Sequence, residues 1–102
     1  MKSLSRHQKV RTDLVSSATW YNREQPGVGQ RFIDEVQFTY EKIRERPTSW
    51  PSRGKGIRYC PVKDFPFNVV YTERPNTIWI VAVAHRSRRP DYWQMRLKDI
   101  PS

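Results

Sequence analysis

Phe65-Pro-Phe-Asn-Val-Val-Tyr71 and Ile78-Trp-Ile-Val-Ala-Val-Ala-His-Arg86, with the turn residues Arg74-Pro-Asn76 between them, decide the fold. Both runs are rich in β-branched and aromatic residues and are bounded by proline and asparagine, so they read as two strands of a hairpin. The second run, Ile78 to Ala84, does not alternate between apolar and polar residues. A strand without alternation is covered on both faces and should lie in the middle of a sheet. Counted strictly by twos, Trp79, Val81, Val83 and His85 share one face, and Ile78, Ile80, Ala82, Ala84 and Arg86 the other. The strand runs out into Ser87-Arg-Arg-Pro-Asp-Tyr-Trp93, where Pro90 to Trp93 reads as a turn that folds Trp93 back over the sheet end as a structural residue.

Upstream of this hairpin, Ile57-Arg-Tyr-Cys60 alternates and predicts another strand, with Lys63-Asp-Phe-Pro66 as its turn. Pro47 to Gly56 is a loop. Before it the apolar period changes. Val28, Phe32, Val36, Tyr40 and Ile43 recur at four and three, which aligns them on one helical face. That helix must end before Pro47, which disfavours helical angles at Arg46. Val10, Leu14, Ala18 and Tyr21 make a second such stripe, beginning near Gln8. Gln25-Pro-Gly-Val-Gly29 separates the two and implies an antiparallel helical hairpin. Lys2 to Arg6 is a weaker strand candidate, with Leu4 as its only apolar residue. The order β-α-α-β-β-β predicts an α+β fold, with the N-terminal helical hairpin packed on one face of a small antiparallel sheet. A length of 102 residues predicts one domain over 1–102.

Nineteen Lys and Arg against ten Asp and Glu leave a net charge of +9. Self-repulsion of that size opposes compaction and points to a use: nucleic acid, an acidic protein or an anionic surface. One cysteine, Cys60, excludes an internal disulfide and suggests a reducing, cytoplasmic setting. The two histidines, His7 and His85, are far apart in the chain and give no metal-ligand pattern. No apolar run approaches the length of a membrane span, no secretion signal opens the chain, and no glycine-rich phosphate loop calls for a cofactor.

Chemistry concentrates at the exit of the central strand. His85 places there an imidazole, a side-chain type suited to act as a general acid or base. A histidine that only bonds a neighbouring loop is the plainer alternative. Arg86, Arg88 and Arg89 offer paired N–H donors to phosphate, or simply form a solvated rim. Tyr92 can donate a proton or stack on a base. Arg53, Lys55, Arg58 and Lys63 form a second basic run without an acid beside them, except Asp64 at its end. If Arg58 leaves the sheet on the face the helices do not cover, it would converge with the 85–89 cluster.

Taken together, Asp13-Leu14, Trp20-Tyr21, Pro26-Gly27 with Gly29, Arg31-Phe32, Ile43 with Pro47, Arg58, Phe65-Pro66, Val70-Tyr71, Ala82-Val-Ala-His85, Arg88 or Arg89, Pro90 and Tyr92-Trp93 give the chain its family likeness. It resembles the RelE/ParE superfamily of toxins from type II toxin–antitoxin modules, in its ParE-like or plasmid-stabilisation branch. The resemblance implies a growth-inhibiting toxin neutralised by a cognate antitoxin that wraps the helical hairpin and sheet, with Leu14, Trp20, Phe32 and Val36 as its contacts. It implies one of two targets. ParE-like members block DNA gyrase by binding. RelE-like members cleave messenger RNA on the ribosome, for which His85, Arg58, Arg86 and Tyr92 would be the catalytic set. Target or nucleic-acid contacts would come from Arg53, Lys55, Arg58, Arg86, Arg88 and Arg89. No Glu or Lys stands beside His85 to complete an acid–base pair, and Phe67 stands where the superfamily commonly has tyrosine. The non-catalytic reading is therefore favoured, with a harmless basic nucleic-acid-binding adaptor as a third possibility.

Overall fold

A computed structural model describes residues 1–101. Its elements are β1 (Ser3–Arg6), α1 (Val10–Glu24), α2 (Val28–Glu45), β2 (Ile57–Pro61), β3 (Phe67–Glu73), β4 (Thr77–His85), the single-turn helix α3 (Asp91–Gln94) and a 3-10 helix over Met95–Asp99. The strands form one sheet in the order β1-β4-β3-β2. β4 is central, as its unbroken apolar run requires. β2, β3 and β4 pair antiparallel. β1 joins the far side of β4 in the same direction, with Leu4 opposite Ile78, so the sheet is mixed.

The two helical stripes meet each other and one sheet face. Phe32, Val36, Tyr40 and Ile43 of α2 and Val10 of α1 are buried against Cys60, Phe67, Val69, Tyr71, Ile78, Ile80 and Val83. At the helix crossing, a Cβ on Gly29 would stand 2.4 Å from the carbonyl oxygen of Ala18 and 2.6 Å from the Asn22 amide nitrogen. Glycine is therefore what lets the helices approach. Asn22 also fixes the connection, its Oδ1 accepting the N–H groups of Gly27 and Gly29 at 3.2 and 2.8 Å.

The other sheet face was expected to be open apart from Trp93, and it is covered by more than a turn. Trp93, Leu97 and Ile100 of the C-terminal segment pack on Ile57, Val70, Val81, Ala82 and Ala84. Trp93 is structural, as its position after Pro90 suggested, but the helical turns that carry Leu97 and Ile100 have too short an apolar pattern to be read from sequence.

β4 does not alternate strictly. Val70 pairs with Ala82 and Tyr71 with Ile80, which leaves Val81 as an extra residue in a bulge. The insertion reverses the facing of everything after it. Ile78, Ile80 and Val83 face the helices, whereas Val81, Ala82 and Ala84 face the C-terminal segment. His85, paired with Phe67, is thereby turned to the helix side, sharing it with Ile78 and Ile80 rather than with Trp79 and Val81.

Candidate functional site

Past Ile80 the strand β4 loses β1 as a neighbour, and its outer edge needs other partners. Asp13 of α1 supplies one, its Oδ2 accepting the Val83 N–H at 3.0 Å. Arg96 supplies the other, donating to the Val81 carbonyl at 3.1 Å. Arg96 also makes a two-pronged pair with Asp13, at 2.8 and 2.9 Å. The hydrogen bonds it donates to Asp13 hold the guanidinium pKa above its usual value, against the opposing effect of burial. One ion pair thus ties α1, the bulge and the C-terminal segment together. A second tie runs from the buried His7, whose Nε2 meets Asp99 Oδ2 at 2.8 Å while its Nδ1 accepts the Lys9 N–H.

The C-terminal segment so anchored lies between two grooves. The groove toward α1, about 270 Å³, is lined by Thr12, Ser16 and Ser17 of α1 and by His85, Arg88 and Tyr92. Arg88 stacks on the Tyr92 ring at 3.6 Å. Burial pushes the Tyr92 phenol pKa up, and the nearby Asp13 adds to the effect. Ser87 fixes the ring of His85: its N–H and its hydroxyl both reach Nδ1, at 3.1 and 2.8 Å. Because a backbone N–H only donates, Nδ1 is the acceptor, and Nε2 of the neutral ring carries the proton.

The groove toward β2, about 540 Å³, holds Arg53, Lys55, Tyr59 and Leu97. Arg53 lies over the Tyr59 ring at 4.5 Å, and Tyr59 meets Trp93 edge-on at 6.0 Å. Lys55 has φ +54° between two glycines that are also left-handed, so the loop presents its side chain at a tight bend.

The residues expected to act together in RNA cleavage are distributed differently. His85 and Tyr92 share the α1-side groove with Arg88. Arg58 does not join them. It pairs with the buried Tyr71 and so emerges on the helix side, where its guanidinium is bound by the Trp50 carbonyl. Four β3 residues separate its register from that of His85, roughly 13 Å along the strand. The anticipated convergence of Arg58 with the 85–89 cluster is absent because, although Arg58 and His85 both emerge on the helix side, this distance along β3 keeps them apart. Arg86 and Arg89 are exposed beyond the strand end and line neither groove, Arg86 being fixed through its N–H to the Pro66 carbonyl. Arg53 and Lys55 lie on the far side of the C-terminal segment from Tyr92.

Of the residues expected to contact an antitoxin, Phe32 and Val36 are wholly buried. Their stripe faces the sheet, so they support the fold and present no surface. Leu14 is half-buried and Trp20 is 54% exposed. Trp20 stands over an apolar hollow of about 450 Å³ with Tyr21, Pro66 and Phe67, next to the α1-side groove. The Asp13–Arg96 pair was missed. Its signal was an acid three residues from Val10, on the buried side of a helix. Among the described residues no three His, Cys, Asp or Glu side chains are grouped to hold a metal ion.

The family model of the ParE toxin of the type II toxin–antitoxin system parDE matches residues 4–90. A solved chain from the chromosomal ParDE toxin–antitoxin system of P. aeruginosa superposes with a TM-score of 0.74 at 18% identity, covering 83% of this chain and 96% of that one. At such identity the likeness speaks for the fold. No curated protein matches the chain.

Proposed function

The chain belongs to the ParE toxin family of type II toxin–antitoxin systems, and from that premise we propose that it inhibits DNA gyrase by binding and is neutralised by a cognate antitoxin. The observation that carries the binding mode is that the expected catalytic set is not assembled: Arg58 and Arg86 stand apart from His85 and Tyr92. In-line attack by a 2′-hydroxyl calls for a base, a cation on the phosphate and an acid within one substrate's reach. Here His85 and Tyr92 share a groove with Arg88, but Nδ1 of His85 is taken up by the Ser87 N–H and hydroxyl, which leaves the neutral ring no free base nitrogen. Arg58 is spent on a backbone carbonyl, and Arg53 and Lys55 are divided from Tyr92 by the C-terminal segment.

The surplus charge supports the same reading. Lys and Arg exceed Asp and Glu by two over residues 1–45 (eight against six) and by seven over residues 46–102 (eleven against four). The helices are nearly balanced, and the loops, strand ends and C-terminal segment carry the cations. A surface of this kind favours fast association with an acidic protein or with a protein that holds DNA.

Induced expression, with and without the product of the adjoining reading frame, tests the proposal. Growth arrest with DNA damage signalling and continued translation, relieved by the neighbour, is the expected outcome. Arrest through rapid message cleavage would support the ribosome-dependent endoribonuclease instead. Expression without arrest, together with strongly salt-dependent nucleic-acid binding, would support the basic adaptor.

A further inference from the structure

The α1-side groove and the hollow beneath Trp20 are one trench, because Ser16, Ser17, Phe67 and His85 line both. Its two ends differ in chemistry. One end is apolar: Trp20, Tyr21, Pro66 and Phe67. The Trp20 ring is held edge-on by Tyr21 at 5.1 Å and still leaves half its surface in water. The other end is rich in donors: the exposed Arg88, the Nε2–H of His85, and the hydroxyls of Thr12, Ser16 and Ser17. The one carboxylate there, Asp13, is already satisfied by Arg96 and the Val83 N–H, so it leaves Arg88 unneutralised.

We infer that this trench receives a segment of the antitoxin in which a large apolar side chain lies within a few residues of an acidic one, the first on Trp20 and the second on Arg88 and His85. The inference rests on the reading above that an antitoxin exists. An exposed indole beside an apolar hollow supplies a centre that desolvates on contact, and the adjoining cation selects for charge. A polynucleotide fits less well, since half the trench offers no cation and nucleic-acid grooves carry them in rows. A second copy of the chain is opposed by the net charge of +9 on each.

The test uses the full chain and the product of the adjoining reading frame, with affinity measured by titration calorimetry for the wild type, Trp20→Ala, Arg88→Glu and Arg46→Glu. All three side chains are exposed, so the variants should fold, and thermal melts verify it. Trp20→Ala and Arg88→Glu should each weaken binding about tenfold or more, with Arg46→Glu within about threefold of wild type. Equal affinity of the wild type and both trench variants overturns the inference and leaves the antitoxin reading standing. Equal weakening by Arg88→Glu and Arg46→Glu, abolished by salt, also overturns it in favour of general charge attraction. A wild type that neither binds nor is neutralised overturns the antitoxin reading and the inference with it.

Discussion

Two buried polar arrangements show what single residues contribute. Asp13 and Arg96 are 8% and 11% exposed and satisfy each other and two strand groups. Removing one member strands a charge, which in buried pairs costs about 3–5 kcal/mol. Arg96→Met should therefore lower stability in urea by about 3 kcal/mol. Asp13→Asn should cost less, because its amide oxygen still accepts the Val83 N–H. The second arrangement concerns alkaline pH. Burial raises the Cys60 thiol from 9.0 to about 11, and raises the Tyr40 and Tyr71 phenols from 10.0 to about 12. In each case the folded value lies above the unfolded one, so the protonated form is favoured by folding. The stability this represents is complete below pH 9 and should fall from pH 9 to 11 for Cys60 and from pH 10 to 12 for the tyrosines. Native Cys60 should accordingly resist alkylation at pH 8 and react promptly once urea unfolds the chain. None of this was legible in the sequence. Phe32 and Val36 illustrate the converse: their period placed them on an apolar face correctly, and periodicity says nothing about whether that face meets the core or a partner.

Elements divide by whether their pattern is local. The two helices and the strands β2, β3 and β4 follow from period, proline and glycine, and they lie where those signals put them. The bulge at Val81 follows from how β4 meets β3, and no count along one strand reveals it. It decides the side on which His85 emerges, so the strict alternation placed His85 on the wrong face. The C-terminal segment escaped for a related reason. Trp93, Leu97 and Ile100 recur at four and three, too few repeats to announce a helix, and their burial comes from the sheet they cover. Trp93→Ala removes the largest side chain of that layer and should cost about 3–5 kcal/mol, read as a shift of the urea midpoint. The helix crossing gives a sharper test. Ala in place of Gly29 gains up to about 1 kcal/mol in helix propensity but meets a backbone oxygen at 2.4 Å, a contact that nothing flexible relieves. The overlap should win, and Gly29→Ala should destabilise by roughly 1–2 kcal/mol in the same assay.

For the whole molecule, the charge of +9 and the mixed sheet define a support whose two faces are both occupied, one by helices and one by the C-terminal segment. What remains for function is the rim: the trench from Trp20 to Arg88, the Arg53–Lys55 loop, and the exposed arginines after β4. A rim that binds without cleaving is the central claim. Its most direct test is a supercoiling assay with purified gyrase, comparing the wild type with His85→Ala. The account predicts inhibition at the same concentration for both proteins, with no cleavage of message in a translating extract by either. Message cleavage by the wild type that disappears in His85→Ala, with gyrase unaffected, would contradict it.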